Sequence, residues 1–230
     1  MTNTNAFWNK RLSEVWEDHS EITKQLRSPA FQGSLKNNAI LFVGMNPSFS
    51  ITRWTTLLKE KKIDDDPESY FSWDNRHKYD RALSLDFNSY TKGKYSYFKP
   101  MREFAGSLGL EWDHADSFFI RETNQNIIKS DVLINNNPKS LTEFGKAQYE
   151  LAVELIRKSA PKVIIVANAL ASHIWKHQFK LDLIEQDTGT YNSTINGTSV
   201  PTFLSGMLTG QRALDVYSRE RLFWHVKRLI

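Results

Sequence analysis

Cysteine is absent from this 230-residue chain. Its absence excludes disulfide scaffolds, thiolate zinc sites, iron–sulfur clusters and a cysteine nucleophile. No apolar run approaches the ~20 residues needed to span a bilayer. The opening Met1-Thr-Asn-Thr-Asn-Ala-Phe-Trp8 has no basic segment leading into an apolar one, so no secretory signal is expected. Glycine is sparse, at ten residues, and no Walker loop, GxGxxG fingerprint or GxSxG elbow is present. The dinucleotide-binding and serine-hydrolase versions of α/β chemistry therefore lose support. An excess of one charge is nearly missing too: 30 Lys and Arg against 26 Asp and Glu leave a net +4. That balance is compatible with a phosphate-bearing partner without requiring one, and only clustering on one face would matter. The expectation is a cytoplasmic globular protein, monomeric and without a membrane partner.

What is present is ample core material, with 40% hydrophobic and 13% aromatic residues. Four short apolar runs have the length and composition of buried strands: 40–43 (Ile-Leu-Phe-Val), 116–120 (Asp-Ser-Phe-Phe-Ile), 162–167 (Lys-Val-Ile-Ile-Val-Ala) and 200–204 (Val-Pro-Thr-Phe-Leu). Amphipathic helical patterns fill 5–27, 98–108, 141–159, 169–179 and 215–230. Fully apolar strands alternating with helices predict a mainly parallel sheet covered on both faces. The fold expected is a three-layer α/β/α sandwich around a four-stranded, mainly parallel sheet. No repeat or complete second domain is visible, so residues 1–230 read as one domain with an aromatic-rich insertion at about 50–94. The insertion carries Trp54, Tyr70, Phe71, Trp73, Tyr79 and Tyr90. These rings could form a stacking lid over a base or a satellite core, the latter fitting most of them better.

Ligands of open α/β sheets sit outside the carboxyl ends of the strands. The four exits are Gly44-Met-Asn-Pro-Ser-Phe-Ser50, Arg121-Glu-Thr-Asn-Gln-Asn126, Asn168 and Ser205-Gly-Met-Leu-Thr-Gly-Gln-Arg212. In the first, Gly44 permits close backbone approach and Pro47 stiffens the bend. Between them, the neutral amide of Asn46 can both donate and accept, and so could hold a water in line for attack. The plainer reading is an Asx-turn in which Asn46 satisfies local backbone groups. His173 and His177 stand at i, i+4 without a neighbouring glutamate base, and a surface or packing role fits them better than zinc. Asp64, Asp65 and Asp66 lack the glycine turn and distal Glu of a calcium loop. No metal and no cofactor are expected.

The segment Ile40-Leu-Phe-Val-Gly-Met-Asn-Pro-Ser48 resembles the first motif of the uracil-DNA glycosylase superfamily, nearest its mismatch-specific Gly-x-Asn-Pro branch. Residues 151–171 are similar to the superfamily's helix–Pro–strand–small residue–Ala–helix unit. Asp116-Ser-Phe-Phe-Ile-Arg-Glu-Thr-Asn124 is similar to the strand whose end supplies a base-reading asparagine. The resemblance covers about half of the chain. It implies a DNA-repair hydrolase that flips a damaged, mismatched or modified base into a pocket at the strand ends and hydrolyses its N-glycosidic bond. By that resemblance Asn46 positions the water, with Ser205 as the second catalytic position. Gly44, Met45, Pro47, Ser48, Asn124 (less securely Asn126) and Asn168 surround the base. Arg121, Thr209 and Arg212 contact DNA or another nucleobase-containing ligand. The family's His-Pro-Ser or Asn-Pro-Ser is replaced here by Ser205-Gly206-Met207, and serine stabilises a departing anion less than imidazole does.

The same strand exits set two further expectations. Asn46, Asn124, Asn168 and Ser205 should converge on one concave site. Arg53, Lys92, Lys94, Arg121 and Arg212 should make its rim positive, with the acidic 64–66 cluster elsewhere. The alternative functions are a non-catalytic nucleic-acid or nucleotide-binding module on the same fold and, third, a protein-interaction domain.

Overall fold

β-Branched residues such as Val163, Ile164, Ile165 and Val166 suit a pleated surface buried on both sides, and they build the central strand of a six-stranded sheet. In the computed structural model, which describes residues 3–78 and 81–230, the strands are β1 (Ile40–Gly44), β2 (Trp112–Asp116), β3 (Val163–Ala167), β4 (Leu181–Glu185), β5 (Thr190–Ile195) and β6 (Thr198–Ser205). The helices are α1 (Asn3–Asp18), α2 (Ser20–Thr23), α3 (Ile51–Glu60), α4 (Pro67–Phe71), α5 (Arg81–Lys94), α6 (Lys99–Ser107), α7 (Gln125–Val132), α8 (Glu143–Ser159), α9 (Ala169–Gln178) and α10 (Val216–Leu229). Two compact units result. The first comprises residues 1–33, 46–90 and 118–151; the second comprises 34–45, 91–117 and 152–230.

All six strands belong to the second unit, in the order β2-β1-β3-β6-β5-β4. The first four are parallel, and β5 and β4 extend the sheet antiparallel. The sheet is therefore α/β but mixed and six-stranded, not the four-stranded, mainly parallel sheet expected. Strand β4 is short and mostly exposed, its apolar residues broken by Asp182, and β5 is polar in sequence though half buried, so no continuous apolar run marked either. The turn from β5 into β6 did carry a signal: Asn196 and Gly197, both at positive φ, form the Asn-Gly pair that suits a tight hairpin.

The second strand also differs. The run 116–120 is buried but leaves the sheet at Asp116, and the ladder is made instead by Trp112-Asp-His-Ala-Asp116. One sheet face buries Ile40, Phe42, Val163, Ile165 and Phe203 against Met101 and Phe104 of α6 and Val226 of α10. Phe104 and Phe223 stack there at 4.0 Å. Helix α9 packs on β3 and β6.

The first unit is helical. Its core joins Trp54 to Phe87 in a stack at 3.8 Å and to Phe71 at 4.1 Å. Trp54, Tyr70, Phe71 and Trp73 are buried, which is the satellite-core arrangement, whereas Tyr90 is exposed. Tyr79 lies outside the described residues. Asp66 caps α4, whose first residue is Pro67, a position where the missing N–H costs nothing.

Candidate functional site

In the second unit, residues two apart on β2 share a face, so His114 and Asp116 point the same way. Asp116 pairs with Gly44 across the β1–β2 ladder, at the carboxyl edge of both strands. A Cβ on Gly44 would collide with Asp116 Oδ1 and stand 3.0 Å from His114 Nε2. Glycine is what lets the carboxyl group lie against the strand end. The Gly44 carbonyl accepts hydrogen bonds from Ser117 N and Ser117 Oγ, and Trp175 Nε1 donates to that hydroxyl at 3.0 Å. These bonds fix the edge on which Asp116 sits.

The electrostatics of this edge are unusual. Asp116 and His114 are each 6% exposed. Burial pushes the Asp116 carboxyl up to about 7, against a lowering pull from the Lys92 ammonium. Burial and Lys92 together hold His114 down at about 3, opposed by Asp113, so its imidazole is neutral at physiological pH. His114 Nε2 has no hydrogen-bond partner and lies 3.9 Å from Asp116 Oδ1. Phe98 packs edge-on to the imidazole at 5.0 Å. Tyr97 stands edge-on at 6.2 Å, its hydroxyl pushed up by burial and by Asp116. Lys92 is held by Asp113, whose carboxylate also accepts from the backbone of Lys36 and His114. A carboxyl group that changes charge near neutrality, beside a neutral imidazole, can exchange a proton with a bound water or leaving group. Sequence reasoning missed this pair. The available signal was Asp-His-Ala-Asp where a buried strand should be apolar.

The other expected site residues in this unit are placed as follows. Met45 is buried. Asn168 is the N-cap of α9, its side-chain oxygen accepting from Leu170 N and Ala171 N. Ser205 pairs with Ala167, beside Asn168, and its backbone is tied to Ser172 Oγ. Strand order puts Ser205 three strands from Asp116, ~14 Å at ordinary strand spacing, beyond the reach of one base. Thr209 donates to the Tyr97 carbonyl at 3.3 Å, and Arg212 is exposed.

In the first unit, Asn46 Nδ2 donates to the carbonyls of Pro47, Ile120 and Glu122 at 3.2, 3.1 and 2.6 Å. Its donors clamp two loops together, leaving Oδ1 as the atom that could hold a water. Pro47 is half-buried and Ser48 exposed. Asn124 is exposed and caps α7 through Asn126 N. Arg121, expected on a nucleic-acid-binding rim, is 2% exposed. Its guanidinium lies over Trp54 and Phe71 and donates to Ser84 Oγ, because the aromatic core accepts a delocalised cation face-on. Arg27 forks onto Glu68, reaches Glu122 and the Arg121 carbonyl, and covers the Phe49 ring at 4.0 Å. These groups line a cleft of about 620 Å³ with Asp131, whose carboxyl is raised by burial and by Glu122.

Among the described residues, no three His, Asp or Glu side chains come together to hold a metal ion. His173 and His177 lie on an exposed face of α9. No helix among the described residues is long and apolar enough to cross a membrane. No family model matches the chain, and no curated protein matches it.

Proposed function

We propose that this protein is a uracil-DNA glycosylase-like hydrolase that cleaves the N-glycosidic bond of a nucleobase at the carboxyl edge of β1 and β2. The observation that carries the reading is the buried Asp116 carboxyl, poised near pH 7 in the space that Gly44 leaves open. Ionised, Asp116 takes a proton from a water as that water attacks the anomeric carbon. The C–N electron pair leaves with the base, which is then protonated. Neutral His114, 3.9 Å away, orients the water or the base without competing for the proton. The reading includes a three-layer arrangement of the second unit, with α6 and α10 on one face and α9 on the other; burial of β1 and β3 on both faces supports it. DNA, or another nucleobase-bearing molecule, is the partner. In this account Asn46, in the first unit, is a structural clamp.

One observation favours the non-catalytic alternative, a nucleic-acid-binding module: Asn46, Asn124 and Asn168 all spend side-chain groups on backbone. Labelled oligonucleotides bearing uracil, mismatches or common lesions, with free nucleosides alongside, separate the two. Hydrolysis predicts base release that rises with pH through a midpoint near 7 and is lost in Asp116→Asn. Binding without release from any substrate, or release unchanged in Asp116→Asn, overturns the proposal.

A further inference from the structure

The carboxyl end is one of the chain's basic segments. Residues 211–230 hold five Lys and Arg against two Asp and Glu, a net +3. Most of this segment is α10. Its apolar face, with Leu222, Phe223 and Val226, is committed to the core of the second unit.

The outward face is not simply polar. Tyr217, Arg221, Trp224 and Arg228 recur at i, i+4, i+7 and i+11 and so share one stripe. All four are exposed, with Tyr217 at 76% and Trp224 at 56%. Along the helix axis the stripe spans ~16 Å, with ~10 Å between the two aromatic residues. The Arg228 guanidinium lies 5.0 Å from the Trp224 ring centroid. Of the two acids in the segment, Asp215 is occupied in capping the helix at Ser218.

We infer that the outward stripe of α10 binds single-stranded nucleic acid, bases stacking on Tyr217 and Trp224 and phosphates pairing with Arg221 and Arg228. Rings that stack on bases, alternating with cations that track a backbone, are the composition such a strand requires. A duplex hides its base faces and would use only the arginines. A membrane-surface helix segregates its rings from its charges on opposite faces; here the apolar face is already buried and the exposed stripe mixes the two. The inference stands on α10 alone and does not depend on the reading of Asp116.

The test is binding of a labelled short oligothymidylate, followed by polarisation and by quenching of Trp224, the one tryptophan that is exposed. Binding should fall log-linearly with salt and be tighter than for a duplex of equal length. Reversing both charges, Arg221→Glu with Arg228→Glu, should cost at least about tenfold in affinity. Tyr217→Ala with Trp224→Ala should also cost about tenfold while leaving the salt slope unchanged. Trp224→Phe should retain binding, as should Asp116→Asn, which separates failure here from failure of the catalytic reading. The inference is overturned if the strand does not bind at low salt or if the double alanine variant binds like the parent. Tighter binding of duplex, or capture by phosphatidylserine vesicles in place of the strand, also overturns it.

Discussion

Arg27 in the first unit and His114 in the second are both polar groups set among aromatic rings, and the protein treats them in opposite ways. All three guanidinium nitrogens of Arg27 meet an acceptor, from Glu68, Glu122 or the Arg121 carbonyl, while its flat face covers Phe49. His114 keeps Nε2 without a partner, and its neighbour Asp116 is buried enough to hold its proton to about 7. Buried polar groups are almost always satisfied, so the satisfied cluster needs only a structural explanation. The unsatisfied one requires another, and strongly shifted groups at a strand edge are where proton-transfer chemistry is found. The loop motif nearest the family pattern, around Asn46, is in the first unit and is satisfied. His114 and Asp116, in the second unit, are not among the residues that the resemblance assigns to water or base.

If this contrast is sound, the largest effect belongs to the second unit. Asp116→Asn keeps shape and volume but removes the base, and base release should fall about 10²- to 10⁴-fold in a single-turnover assay. Arg121→Ala should act on the first unit instead. It empties the space beneath Trp54 and Phe71 and removes a cation from two ring faces, costing about 3–4 kcal/mol in denaturant melts. Because Arg121 is 2% exposed, the parent's salt dependence of nucleic-acid binding should not include it.

The sequence made the parallel half of the sheet legible because continuous β-branched runs such as 163–166 have few other uses. Helices α9 and α10 were equally plain as helical stretches at 169–179 and 215–230, whereas the role of Asn168 as a helix cap was not read from the sequence. The hairpin of β4 and β5 was not plain, since β4 breaks its apolar residues with Asp182 and β5 is built mainly of polar residues. Strand β2 was displaced by the louder run Phe118-Phe119-Ile120, which is buried in irregular backbone: Phe119 N donates to the Gln148 side chain, not to a ladder. The same misplacement concealed the site. With 116–120 read as the strand, Asp116 stood at its start; as the last residue of β2 it stands at the carboxyl edge of the sheet.

Two further effects sharpen the contrast. Between pH 3.8 and about 7 the folded protein holds the Asp116 proton that the unfolded chain has released, so stability falls across that window as pH rises. His114 runs the other way, since from about 3 to 6.5 the unfolded chain binds the proton that the folded imidazole refuses. Asp116→Asn removes only the first contribution. The variant should match the parent near pH 3.5 and exceed it above pH 7 by roughly 4 kcal/mol in thermal or denaturant unfolding. Asn46→Ala leaves three carbonyls short of a donor and should cost about 1–2 kcal/mol. If Asn46 is a clamp rather than the essential water ligand, base release by this variant should fall far less than in Asp116→Asn.

The most direct measurement is the titration of the Asp116 side-chain carboxyl itself, by carbon NMR of protein labelled at aspartate and assigned with Asp116→Asn. It needs no substrate. A midpoint near 7 is expected, with the His114 imidazole remaining neutral down to about pH 3. A midpoint near the ordinary aspartate value of ~3.9 would contradict the account, because so weak a base has little drive to take a proton from water and would give no rise in base release through pH 7.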